Sequence, residues 1–184
     1  PARINTVGEY LKELQALKLI KPEQTQIQGI WMQSGPMLMA NHQGTKPLPA
    51  ASLTKIATSL VALNKWGHDH KFETLISATG PVKNGVLEGN LVVNASGDPL
   101  FVWEEAITIG NMRNKMGIKR VNGNLIVVGE FAMNFQRNPT LAGQALKRAL
   151  NSARWDRRIA FQYSRMPKGT PKPQVPITGK VEVK

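Results

Sequence analysis

The segment TVGEYLKELQALKLI (6–20) places apolar residues at Val7, Tyr10, Leu11, Leu14 and Leu17. That is the spacing of an amphipathic helix, closed by Pro22. IQGIWMQ (27–33) and MLMANH (37–42) flank Ser34-Gly35-Pro36 and read as two strands about a tight turn. The prolines of KPLPAAS (46–52) prevent a helix from starting before about Ala50. From Ser52 onward, Leu53, Ile56, Ala57, Leu60, Val61 and Leu63 mark an apolar helical face, with Gly67 in position to end it.

After about residue 70 the pattern turns to β. KFETLISAT (71–79) and VLEGNLVVNAS (86–96) read as strands joined across GPVKNG, and VNGNLIVVGEF (121–131) as another. GDPLFVWEEAITIGNMRNKMG (97–117) reads as a turn followed by a helix, with Glu104 and Glu105 in its first turn, where the helix dipole favours acidic groups. GNLVV (89–93) echoes in GNLIVV (123–128), each a turn feeding a buried strand. LAGQALKRALNSA (141–153) reads as a helix, and IAFQYSRM (159–166) and QVPITGKVEVK (174–184) alternate as strands. The fold class is therefore mixed α/β (α+β), with a boundary near residues 71–80.

Composition narrows the functional classes only a little. The 184 residues are 41% hydrophobic and 20% charged, which suits a folded chain with a packed core. A net charge of +12 favours polyanionic surroundings: anionic wall polymer, lipid headgroups or nucleic acid. The cations are densest from Lys147 to Lys184, and the plain reading of that density is a solvated face and loop. The absence of cysteine excludes disulfides, thiolate zinc sites and cysteine nucleophiles. No apolar run reaches the roughly 18 residues of a membrane span. His42, His68 and His70 lack the spacing and the fourth ligand of a zinc site, so no metal is expected. Trp31, Trp66, Trp103 and Trp155 are scattered, as core or partly buried anchors are. No phosphate loop, dinucleotide fingerprint or nucleic-acid module is present.

Ser52 and Lys55 form an S-x-x-K pair. With seven serines and 15 lysines in the chain, chance supplies roughly half of one such match. Two readings compete. Serine is a favoured helix N-cap and lysine an ordinary exposed helical residue. Yet an offset of three puts both side chains on one face, where a desolvated lysine amine can take the proton from a serine hydroxyl and make it a nucleophile.

PAASLTKIATSLVALNKWGHDHKFET resembles the nucleophile region of penicillin-binding proteins. Specifically, it is similar to the serine D-alanyl-D-alanine carboxypeptidases and endopeptidases that carry a large inserted domain after the S-x-x-K helix. FETLISATGPVKNGVLEGNLVVNASGDPLF and MGIKRVNGNLIVVGEFA resemble the segments that follow in that family, in the same order, over roughly residues 45–135. The resemblance implies that Ser52 is the acylated nucleophile and Lys55 the base that activates it. Asp98, in the family's Gly-Asp-Pro, is read as a turn and helix-cap residue rather than as chemistry.

The chain departs from that family in lacking S-x-N (or Y-x-N) and K-[ST]-G motifs, which hold substrate and line the oxyanion hole. Lys168-Gly169-Thr170 has the letters in the wrong order, and Ile177-Thr178-Gly179 lacks the lysine. The expectation is therefore the front portion of a longer enzyme. Residues 1–75 would be the N-terminal part of a β-lactamase/transpeptidase-like catalytic domain, and residues 76–184 the inserted α/β domain. The first portion alone leaves its apolar faces uncovered; another copy, or the remaining C-terminal part, would cover them.

The function this implies is a serine-type D-Ala-D-Ala carboxypeptidase or endopeptidase acting on peptidoglycan peptide stems, and on β-lactams once the site is completed. This fragment is expected to be inactive alone, so whether the chain by itself is an enzyme stays open. It would need no cofactor, and it would be exported to the periplasm or cell envelope, with its signal peptide outside this sequence. The alternative is a non-catalytic module that binds cell wall or a partner. Nucleic-acid binding rests on charge alone and ranks last.

Overall fold

The structure is a computed structural model describing residues 6–184, so the first five residues of the expected 1–75 portion lie outside it. The chain divides into two compact units, one ending at Asp69 and the other spanning His70–Lys184. No helix among the described residues is long and apolar enough to cross a membrane.

In the first unit, helix α1 (Thr6–Ala16) is shorter than its apolar pattern. The chain leaves the helix after Ala16, and Lys18 takes a left-handed φ of 56°. A 3₁₀ segment, Pro22–Ile27, follows. Strands β1 (Ile30–Ser34) and β2 (Met37–His42) form the expected hairpin, turning at Gly35. Helix α2 (Thr54–Trp66) is preceded by a 3₁₀ turn, Ala51–Leu53. It ends at Gly67, whose φ of 78° is one that a side chain would strain, and whose N–H donates to the Leu63 carbonyl at 2.9 Å.

Val7 and Leu11 of α1 are buried, but no residue of α2 is. Ile56 is 68% exposed and Leu60 60%. Trp31 and Trp66, expected as core or partly buried anchors, are both exposed.

The second unit holds the packed core. Its main sheet has the order β3-β6-β8-β9, from β3 (Thr74–Ala78), β6 (Leu91–Ser96), β8 (Leu125–Glu130) and β9 (Val181–Val183). A smaller sheet joins β4 (Val82–Lys83), β5 (Val86–Leu87) and β7 (Arg120–Val121), with Asn84-Gly85 as the two-residue hairpin turn. The GNL echo in the sequence becomes geometry: β6 and β8 are parallel, with Leu91 opposite Leu125 and Val93 opposite Val127, all four buried. Helix α3 (Trp103–Lys115) provides the crossover.

The entrances to the parallel strands are lined by glycines because neighbouring backbones touch there. The Gly123 N–H donates to Gly89 O at 3.0 Å, and Gly179 N–H to Gly123 O at 2.9 Å. A Cβ on Gly123 would run into the Gly89 carbonyl, and one on Gly179 would stand 2.6 Å from the Gly123 oxygen. Helix α4 (Pro139–Ala149) lies on β8 and β9 through Gly143, where a Cβ would be 2.6 Å from Val181 Cγ1 and 3.0 Å from Val127 Cγ2.

Three sequence expectations are corrected here. Residues 159–166 form no strand: α5 (Arg157–Ser164) is a helix. Asp156 Oδ1 accepts the N–H groups of Arg158 and Ile159, both at 3.0 Å, and that N-cap overrides the alternation of Ile159, Phe161 and Tyr163. Between 174 and 184 only β9 is a strand, with Gln174 and Ile177 making single bridges on either side of Pro176. Asp98 is a turn residue, accepting the Leu100 N–H at 2.8 Å, but the N-cap of α3 is Val102, whose N–H donates to Glu105 at 3.1 Å.

Candidate active site

Pro47 and Pro49 hold the chain out of helical conformation up to Ala50. Ala51 then takes a left-handed φ of 44°, which costs an alanine energy and marks a constrained entry. The turn closes with the Leu53 N–H on Ala50 O at 2.8 Å, and the Thr54 N–H reaches Ala51 O and Ser52 O. Thr54 Oγ1 donates to Ala51 O at 2.8 Å.

These backbone bonds correct the N-cap reading of Ser52. The residues flanking the helix starts are Ala50 and Leu53, and neither start has a side-chain cap. Because the chain enters through a 3₁₀ turn, backbone carbonyls take the first N–H groups. Ser52 thus lies in the 3₁₀ turn and Lys55 in the first turn of α2.

Both side chains are exposed. Among the described residues of this unit the start of α2 is uncovered, with Leu53 66% exposed, so the unit by itself does not supply the desolvation that a lysine base needs. The histidines do other things. His42 Nε2 lies 3.3 Å from Thr25 O and 3.1 Å from Gln43 Nε2, His68 pairs with Asp69 at 3.2 Å, and His70 stacks edge-on against Phe72. Among the described residues no group of three or more His, Asp or Glu side chains is placed to hold a metal.

Sequence reasoning missed a second feature, in the second unit. Asn111 on α3, with Lys115, Lys119 and Lys172, lines a cavity of about 910 Å³, and Lys147, Arg148 and Arg154 line a neighbouring one of about 590 Å³. The excess of cations after Lys147 was the available signal. What it did not reveal is that Lys115, at the end of α3, and Lys119 beyond it line the same cavity as Pro171 and Lys172 of the Pro-rich loop.

The chain belongs to the D-Ala-D-Ala carboxypeptidase 3 (S13) family, whose sequence profile matches residues 17–143. Over 90 residues it is 31% identical to the D-alanyl-D-alanine carboxypeptidase DacB of Haemophilus influenzae, an overlap of 49% of this chain and 19% of that one. It thus spans less than a fifth of that relative's length. The crystal structure of penicillin binding protein 4 from Haemophilus influenzae matches 50% of this chain and 20% of that one, at 32% identity and a TM-score of 0.37. The predatory endopeptidase Bd3459 of Bdellovibrio bacteriovorus, penicillin G-acylated and in complex with immunity protein Bd3460, matches 81% of this chain and 38% of that one at 18% identity, with a TM-score of 0.54. The last of these shows the shared mixed α/β fold.

Proposed function

We propose that this chain is the S-x-x-K-bearing part of a serine-type D-Ala-D-Ala carboxypeptidase or endopeptidase that acts on peptidoglycan. Residues 1–75 would belong to its catalytic domain and residues 76–184 to an inserted α/β domain. The observation that carries the reading is Ser52: in a chain of the S13 family, its hydroxyl does no capping work, and Lys55 stands one turn along. The penicillin G-acylated state of the Bdellovibrio endopeptidase supports an acyl-enzyme mechanism.

The step balances with the protein's own groups. Neutral Lys55 Nζ takes the proton of Ser52 Oγ as the oxygen attacks the carbonyl carbon of the scissile amide. The C–N bond breaks, the leaving amine carries away a proton, and water later hydrolyses the acyl ester. A lysine that takes the serine proton needs shielding from water, and Lys55 is exposed among the described residues of its unit. The S-x-N and K-[ST]-G motifs are also absent from this chain. The chain alone is therefore inactive, and the working enzyme resides in the cell envelope, in the periplasm.

Intact mass before and after incubation with a penicillin tests this. The expectation is no adduct on the 184-residue chain alone, and one adduct on Ser52 when the remaining polypeptide of the parent is supplied. A complete protein that gains no adduct, or gains it elsewhere, overturns the proposal.

A second reading is favoured by the cationic cavities: the second unit binds wall material or a partner without catalysis.

A further inference from the structure

The chain holds two Asn-Gly pairs, Asn84-Gly85 and Asn122-Gly123. Asparagine before glycine is chemically labile, because a neighbour without a side chain leaves its backbone nitrogen open to the asparagine's own amide carbon. Both asparagines are exposed, so exposure does not separate them. Their tethering does.

Asn122 is tied down. Its Nδ2 donates to Glu88 Oε2 at 2.9 Å, its backbone N–H donates to Leu87 O at 3.0 Å, and its carbonyl accepts the Thr178 hydroxyl at 2.8 Å. The nitrogen that would attack it belongs to Gly123, whose N–H is committed to Gly89 O at 3.0 Å.

Asn84 is free of such ties. Neither its side chain nor the Gly85 N–H makes a hydrogen bond among the described residues. The pair forms the tip of a hairpin whose outer strand, β4, is two residues long and has β5 as its one neighbour. So short an edge opens locally at small cost. Opening releases the left-handed turn, with φ of 49° at Asn84 and 82° at Gly85, into the backbone geometry that attack needs.

We propose that Asn84 is a site of spontaneous deamidation and isomerisation, and that the fold spares Asn122. The Gly85 nitrogen gives up its proton to solvent and bonds to Asn84 Cγ. The Cγ–Nδ2 bond breaks, ammonia leaves with a proton from solvent, and a cyclic imide remains. Water then opens the ring at either carbonyl, leaving aspartate or isoaspartate at position 84. The reaction needs only water, and neither Ser52 nor Lys55 takes part.

The product changes its surroundings. A carboxylate appears next to Lys83 and close to Lys119, whose Cδ lies 3.3 Å from where a Cβ on Gly85 would stand. Isoaspartate also lengthens the main chain by a methylene just before Gly85. The Gly85 carbonyl accepts the N–H groups of Lys119 at 2.7 Å and Arg120 at 3.2 Å, so the lengthened turn loosens the join between β5 and β7.

The test incubates the 184-residue chain in mildly alkaline buffer and cleaves samples after glutamate, which puts the two asparagines in separate fragments. Mass and chromatographic splitting of each fragment are followed with time. Position 84 is expected to convert at least about tenfold faster than position 122, giving two isomeric products. In urea the two rates should draw together, since the contrast comes from folding. Three results would overturn the proposal. One is an unchanged Asn84 while the peptide VKNGVLE (82–88) converts in the same buffer. Another is conversion of Asn122 as fast as Asn84 in the folded chain. The last is a rate ratio that persists undiminished in urea.

Discussion

Asn90 Oδ1 accepts the backbone N–H of Asn124 at 2.8 Å, and Asn124 Oδ1 in turn accepts the backbone N–H of Lys180 at 2.9 Å. Each asparagine stands just before a parallel strand and ties the entrance of the next one in line. The side chains therefore extend the ladder one step beyond the strand ends and fix the register of β6, β8 and β9.

Replacing Asn90 by Ala removes a hydrogen bond to the partly buried Asn124 N–H, and is expected to cost about 1–3 kcal/mol. Urea denaturation read from amide resonances of the second unit measures it. A loss below about 0.5 kcal/mol would mean that water replaces the side chain at no cost.

The glycine entrances predict a larger effect. Gly123→Ala puts a Cβ into the Gly89 carbonyl, which is backbone and has no rotamer to give. The expected loss is about 3 kcal/mol or more, with lower hydrogen-exchange protection along β6 and β8. A variant as stable as the parent would mean that the strands separate there easily.

Helix α5 depends on its cap. Hydrogen bonding from the Ile159 N–H, aided by Arg148 at 3.0 Å, lowers the Asp156 carboxyl below its ordinary range. A lowered folded-state value means stability present above the ordinary carboxylate range and lost as the pH falls through the lower value. Asp156→Ala should cost about 1 kcal/mol at neutral pH, and the difference from the parent should shrink as the pH drops below about 4. A difference that stays constant to strong acid would assign the loss to packing rather than to charge.

The bare face of α2 gives the opposite kind of prediction. Ile56→Gln and Leu60→Gln remove exposed apolar groups, so each should change the stability of this chain by less than about 0.5 kcal/mol and reduce binding of a hydrophobic dye. A loss of several kcal/mol would show that the face is covered in solution.

Much of the fold could be read before any coordinates. The GNL echo announced two buried strands, though not their parallel pairing, and the pattern of residues 97–117 announced a turn and then α3, because burial imposes its spacing directly on the residues. Helix α5 escaped because eight residues with Ile159, Phe161 and Tyr163 at alternate positions fit either period, and the deciding group, Asp156, lies outside them. At the candidate site, the spacing of Ser52 and Lys55 was legible, but not the 3₁₀ entry that leaves the capping to backbone carbonyls. The cationic cavity was the least legible, since Lys115, Lys119 and Lys172, far apart in sequence, line it together only in the folded unit.

The parallel pairing of β8 with β9 ties Asn124 to a strand 56 residues further on. A contact of that span cannot form until nearly the whole second unit has been synthesised. The unit should thus mature late and slowly on the ribosome. Until β9 arrives, the Leu125–Glu130 edge presents unpaired backbone groups to any other strand in reach.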